Sequence, residues 1–208
     1  MIIDWIPITK IEAIPPMGVE LMAHLETLKG AVKHASYSAW NLLYKILLKN
    51  DFPVPTVSFT DTGKPYFLNS AIRFSLSHSH GVCAVAVADR LVGVDVEIVK
   101  EYYPPHMIER SLSENEKVVY DGDFTRIWCR KEAVAKMTGE GITGYPSNID
   151  TTSYTFHEQQ FEWDGQKYWL VVVCAECQSN LCKEKCILPV ASQNDFVAVA
   201  EKKTIKAP

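Results

Sequence analysis

Strands at the start, middle and end of the chain, with helices between them, predict an α+β protein. Three observations carry this. Ser36–Leu48 places Trp40, Leu43, Tyr44 and Leu47 at helical spacing on one face. Ile72–Leu76 alternates apolar and polar residues, as a strand with one wet face does. The composition, 47% hydrophobic and 22% charged with 10 Gly and 11 Pro in 208 residues, is that of an ordinary globular chain. It excludes disordered, collagen-like and coiled-coil classes. At roughly 100–150 residues per domain, the length allows one large domain or two small ones. Either buries a core without disulfide staples.

Ile2–Ile8 reads as an opening strand and Val19–Leu28 as a helix, followed by the helix Ser36–Leu48, which Pro53 and Pro55 end. Asp61–Pro65 is a turn by its Gly63 and Pro65. After the strand Ile72–Leu76, the polar segment Ser77–Gly81 leads into two more strand runs, Val82–Ala88 and Leu91–Ile98. Asp89-Arg90 is expected to join them as a hairpin turn. Ser113-Glu-Asn-Glu116 is a capping-box sequence that starts a helix. Asp123 is placed to cap the next one, Phe124–Met137, and Gly139 to end it. Ser153–Glu162, Tyr168–Ala175 and Phe196–Glu201 return to strand. Gly81–Ala88 and Tyr168–Ala175 resemble each other as small, Val-rich strands, a hint of two similar halves meeting near Ile98–Pro105.

Twenty-one Lys and Arg against 25 Asp and Glu leave a net charge of -4, so no general positive excess exists to coat a nucleic acid and no basic block marks a membrane surface. Asp4 and Pro7 interrupt the apolar N-terminal run, which argues against a signal or transit peptide. No apolar stretch approaches the roughly 20 residues a bilayer span needs. Six cysteines without an export signal are expected to be reduced thiols in a cytoplasm. Cys174-x-x-Cys177 with Cys182-x-x-x-Cys186 has the ligand count of a structural zinc. Ordinary thiols or a redox pair fit the same spacing.

Four groups of residues carry chemistry. In Gly93-Val-Asp95-Val-Glu97 the two carboxylates share one strand face, about 7 Å apart at their Cα atoms. That face is either open to solvent or the floor of a site, because two such carboxylates repel unless a cation lies between them. In Trp128–Lys136, Glu132 and Lys136 stand four apart on a helix, as either a surface ion pair or the third carboxylate and a phosphate-binding cation of an oxygen-only Mg²⁺ site. Phe74–Ser79, with Ser77 and His78, reads either as a polar turn or as a phosphate contact. Gly63-Lys64-Pro65 is a stiff turn presenting one cation.

Together and in this order these motifs, over residues 60–145, resemble the surfactin-type (Sfp-type) 4'-phosphopantetheinyl transferases. That family shows a Gly-Lys-Pro turn, a Phe-Asn-x-Ser-His-Ser segment, a Gly-x-Asp-x-Glu strand and a Trp-x-x-Lys-Glu-Ala-x-x-Lys helix. Ser113–Glu116 also looks like its Ser-Glu-x-Glu helix start. The resemblance implies a pseudo-dimer of two similar α+β halves, 1–98 and 99–208, with the active site in the cleft between them. It implies transfer of the phosphopantetheine arm of coenzyme A to a serine of an apo acyl or peptidyl carrier protein, releasing adenosine 3',5'-bisphosphate, by a monomer. By position, Asp95, Glu97 and Glu132 would hold Mg²⁺. Lys64, Pro65, Ser77, His78 and Lys136 would contact coenzyme A. Glu132 would act as base and Lys136 would assist departure of the leaving phosphate. A carrier-facing basic patch would draw on Lys117, Arg126 and Arg130. Two departures stand out. Trp40-Asn41 replaces the basic residues that grip the 3'-phosphate, with Lys29 and Lys33 only roughly placed, and Ser75 replaces the family's usual Asn.

Overall fold

The computed structural model describes residues 1–10, 13–142 and 144–175. Two three-stranded antiparallel sheets organise it. The first has the order β1-β5-β4, from β1 (Ile2–Pro7), β4 (Arg73–Ser79) and β5 (Val82–Ala88). The second has the order β6-β8-β7, from β6 (Val92–Ile98), β7 (Phe156–Trp163) and β8 (Gln166–Cys174). Helices α1 (Val19–Thr27) and α2 (Gly30–Lys49) cover the outer face of the first sheet. Leu21, Leu25, Trp40, Leu43 and Leu47 close there over Phe74, Val85 and Val87. Helix α5 (Phe124–Thr138) covers the second sheet through Cys129, Ala133, Val134 and Met137 on Val171 and Val173.

The remaining sheet faces meet each other. Val82, Ala84, Ala86 and Ala88 of β5 form one buried cluster with Val92, Val94 and Val96 of β6 and Tyr168, Leu170 and Val172 of β8. The period-two alternation sends these residues one way and Val85 and Val87 the other, which is why β5 is buried along its whole length. Alanines on the inner face let the two sheets come close. The Tyr168 hydroxyl adds a cross-sheet bond to the His80 carbonyl at 2.7 Å.

A short hairpin, β2 (Val57–Phe59) and β3 (Pro65–Phe67), carries the Gly63-Lys64 turn. Helices α3 (Pro105–Ser111) and α4 (Glu114–Val119) lead into α5. The capping box at Ser113 and Glu116 forms in full, Asp123 caps α5, and Gly139 ends it at φ 84°. Among the described residues no helix is long and apolar enough to cross a membrane.

Three expectations need correction. β5 and β6 do not form a hairpin: β5 already pairs with β1 on one edge and β4 on the other, so β6 turns away at Asp89-Arg90 and pairs with β8. Helix α2 starts at Gly30 rather than Ser36. Its first residues are largely exposed and its N-cap Lys29 makes no side-chain cap, so neither periodicity nor capping announces it. Ser77–Ser79 is strand rather than turn. The reversal falls on His80 and Gly81, both at positive φ (38° and 97°), in a two-residue hairpin. The expected strand Phe196–Glu201 and Cys177, Cys182 and Cys186 lie outside the described residues. Cys174 ends β8.

Candidate active site

The eight residues singled out by the motifs, Lys64, Pro65, Ser77, His78, Asp95, Glu97, Glu132 and Lys136, line one cavity of about 600 Å³. That volume lies within the range of small-molecule sites. Strand β6 supplies its floor. Val92, Val94 and Val96 point into the inter-sheet core, so Gly93, Asp95 and Glu97 face the opposite way, under α5. Gly93 is required there by a close approach rather than by its dihedrals. A Cβ at this position would lie 1.9 Å from the Ala133 carbonyl oxygen and 2.7 Å from the Met137 nitrogen. The missing side chain lets α5 settle onto β6, and the helical i,i+4 spacing then brings Glu132 and Lys136 over the carboxylate row.

Asp95 is 2% exposed. Its Oδ1 accepts from Lys136 Nζ at 2.7 Å and from Ser77 Oγ at 2.7 Å, and Lys136 Nζ also donates to Ser77 Oγ at 2.8 Å. Glu97 Oε2 accepts from Ser79 Oγ at 2.9 Å. Burial, then the charge of Asp95, pushes the carboxyls of both Glu97 and Glu132 above their ordinary values. For a general base the upward shift is favourable, since it makes the carboxylate a better proton acceptor.

On the facing side His78 continues the face of β4 that holds Phe74 and Leu76, but beyond the cover of α2, and is exposed. Although part of the residue reaches solvent, desolvation of its ring by the surrounding protein, then the Lys136 charge, pushes its imidazole below the ordinary value, which favours the neutral form near pH 7. Lys64 reaches across to the end of α5, where Nζ donates to the Met137 carbonyl at 2.7 Å and the side chain rests on Gly139. It thus caps a helix C-terminus, where a cation complements the orphan carbonyls. Burial, then the nearby Arg73 charge, pushes its ammonium below the ordinary value.

The donors suit a hard divalent cation in kind. Asp95 Oδ2 is buried and has no hydrogen-bond partner, and three mutually repelling carboxylates face one cavity. Among the described residues, however, no three His, Cys, Asp or Glu side chains converge closely enough to hold a metal ion as they stand. The cation beside Asp95 is the Lys136 ammonium.

Sequence reasoning missed His24, Ser36 and Phe59, which also line the cavity. They come from α1, α2 and the β2 end, and no motif marks them. Trp40 lines it as well, while the Asn41 amide is committed to the carbonyls of Ala13 and Tyr37. Lys33 lies over the Tyr37 ring, 5.3 Å from its centroid. Of the supposed basic patch, Arg126 and Arg130 both bind Glu158, and Lys117 binds Glu114. Their charge is largely neutralised locally.

The model of the 4'-phosphopantetheinyl transferase superfamily matches residues 91–173. A Haemophilus influenzae protein provisionally named 4'-phosphopantetheinyl transferase is 32% identical over 111 residues, covering 48% of this chain and 47% of that protein. The 4'-phosphopantetheinyl transferase AcpT of Salmonella typhimurium is 31% identical over 132 residues, 58% of this chain and 67% of that one. The 4'-phosphopantetheinyl transferase HetI of Nostoc is 34% identical over 101 residues, 40% and 41% of the two chains. The match thus spans about half the length of the Haemophilus and Nostoc relatives and two thirds of the Salmonella one.

Proposed function

The chain belongs to the 4'-phosphopantetheinyl transferase superfamily, and on that premise we propose that it is a surfactin-type transferase. It moves the phosphopantetheine arm of coenzyme A onto a serine of an apo acyl or peptidyl carrier protein. The observation that carries this is the gathering of Asp95, Glu97, Glu132, Lys136, His78 and Lys64 around one cavity.

In the proposed reaction Glu132 takes the proton of the carrier serine, whose oxygen attacks the β-phosphorus of coenzyme A. The P–O bond to the α-phosphate breaks, and adenosine 3',5'-bisphosphate leaves. Asp95, Glu97 and Glu132 would hold Mg²⁺ once drawn together around it, and the ion would supply charge stabilisation to the pyrophosphate. Lys136 steadies the charge developing on the leaving phosphate, for which it leaves its contact with Asp95. The neutral His78 donates a hydrogen bond to a phosphate oxygen. Lys64 and Pro65 border the nucleotide, and Ser77 its phosphates. His24 of α1 and Ser36 of α2 are polar groups that line the cavity, and we assign them to the nucleotide in place of the absent basic residues.

The reading includes a pseudo-dimeric architecture with the cleft between halves 1–98 and 99–208. The likeness of the two three-stranded sheets, each with a helix on its outer face, supports it. Since β6 hydrogen-bonds in the second sheet, we move residues 92–98 to the second half and set the division at Asp89–Leu91. A monomer suffices, because each half supplies part of the cavity lining, and a cytoplasmic setting suits reduced thiols. Burial pushes the Cys83 thiol up to about 12, which keeps it protonated.

Incubation with coenzyme A, Mg²⁺ and an apo acyl carrier protein tests the reading. A gain of one phosphopantetheine in the intact mass of the carrier supports it. Release of free 4'-phosphopantetheine without carrier labelling points to a hydrolase, and absence of both products to a non-catalytic binding protein.

A further inference from the structure

Among the described residues, strand β6 is hydrogen-bonded to a neighbouring strand on one side only, by β8. Three of its outward amides nevertheless have partners. Val94 N donates to Ser75 Oγ at 3.0 Å, Val96 N to Ser77 Oγ at 3.3 Å and Ile98 N to Ser79 Oγ at 3.4 Å. The three serines share one face of β4 and are all buried. The spacing is regular, each serine taking the amide 19 residues on. Ser77 and Ser79 also donate to the carboxylate 18 residues on, Asp95 and Glu97. At Ser75 the residue 18 on is Gly93, so this serine touches no carboxylate.

We propose that Ser75, Ser77 and Ser79 form a side-chain ladder that stands in for a neighbouring strand on β6 and fixes where Asp95 and Glu97 sit. Ser75, which holds only the backbone rung, is a positioning residue for the reaction. Ser77 is saturated in this arrangement: its oxygen accepts from Val96 N and Lys136 Nζ, and its single proton goes to Asp95. With the Ser79 proton on Glu97, the His80 Nδ1 at 3.0 Å must carry hydrogen and donate. A register slip of one residue would turn both carboxylates into the apolar inter-sheet cluster and is excluded by the ladder. The consequence for catalysis rests on the proposed transferase reading; the ladder itself does not.

The test replaces Ser75 by Ala, by near-isosteric Cys, and by Thr, which keeps the hydroxyl. Hydrogen exchange at single amides is the first readout. Val94 should exchange about tenfold faster in Ser75→Ala and Ser75→Cys, with a smaller rise at Val96 and none at Leu43 or Leu47, and Thr should restore it. The second readout is transfer kinetics. The Mg²⁺ concentration for half-maximal rate should rise several-fold, with the KM for coenzyme A changed by under about twofold. Unchanged Val94 exchange in both Ala and Cys variants would overturn the ladder. A rise confined to the coenzyme A KM would make Ser75, which also borders the cavity, a ligand contact instead and would overturn the positioning role. If the parent protein transfers nothing, the function reading falls while the exchange result still decides the ladder.

Discussion

Helix α5 presents Lys131 to a sealed interior and the next residue, Glu132, to the cavity. Lys131 and Glu116 form an ion pair at 2.6 Å with side chains 1% and 0% exposed. Every oxygen of that pair is used. Glu116 Oε2 accepts from Lys131 Nζ and the Ser113 amide, Oε1 accepts from the amide and hydroxyl of Thr151, and Lys131 also donates to the Ile149 carbonyl. Burial alone would push Glu116 up, but these bonds outweigh it and hold the carboxyl below its ordinary value. One turn away, the Lys136–Asp95 pair is equally short, at 2.7 Å, yet Lys136 is 31% exposed and Asp95 keeps an unpartnered oxygen. A buried charge with all its bonds made ties elements together: here the cap of α4, the start of the 151–153 turn, and α5. Charges left incompletely matched beside a cavity retain capacity for a ligand.

That contrast sets the size of expected effects. The largest is on rate. Glu132→Gln should lower phosphopantetheine transfer by about 10²–10⁴-fold while leaving the unfolding midpoint near that of the parent, because it removes a proposed base and relieves carboxylate repulsion. A variant that transfers normally would remove Glu132 from the mechanism. Next comes the sealed pair. Lys131→Ala strands the Glu116 charge and should cost about 3–5 kcal/mol in denaturant unfolding. A loss below about 1 kcal/mol would mean the pair is not sealed in solution. Gly93→Ala forces α5 off β6 and should cost about 1–3 kcal/mol, with loss of transfer in the fraction that still folds.

An effect that vanishes at low pH concerns a third buried carboxylate, Asp4 on β1. It has the amide of Trp5 as a partner and the Lys49 charge nearby, but burial dominates and its pKa rises from 3.8 to about 6. The folded state therefore holds this proton more tightly than the unfolded chain. Its stabilising contribution is complete below about pH 4 and is lost as pH rises through 6. Asp4→Asn should match the parent near pH 3.5 and exceed it by up to about 3 kcal/mol at pH 7. Equal stability at both pH values would show that Asp4 is solvated or paired.

Much of this architecture is legible in the sequence because it obeys local rules. The capping box at Ser113, the Asp123 cap, the Gly139 stop and the alternation along β6 are decided by neighbours a few residues away. The residues around the cavity are legible as motifs for a similar reason: Gly93, Asp95 and Glu97 encode their common face by period two, and Glu132 and Lys136 by period four. What fails is long-range. The separation of β5 from β6 depends on β1, some 80 residues earlier, filling the edge of β5. The role of Lys64 depends on where α5 ends, and the commitment of Arg126 and Arg130 depends on Glu158. The serine row reads as a polar turn until its partner strand is known, since its regularity is a relation between two segments and is invisible within either.

The most direct test of the account is the intact mass of an apo acyl carrier protein after incubation with coenzyme A and Mg²⁺, using the parent protein and Glu132→Gln side by side. The account predicts one phosphopantetheine added by the parent and almost none by an equally stable Glu132→Gln. Equal labelling by both would contradict the assigned site, and a carrier left unmodified by the parent while coenzyme A is hydrolysed would contradict the function.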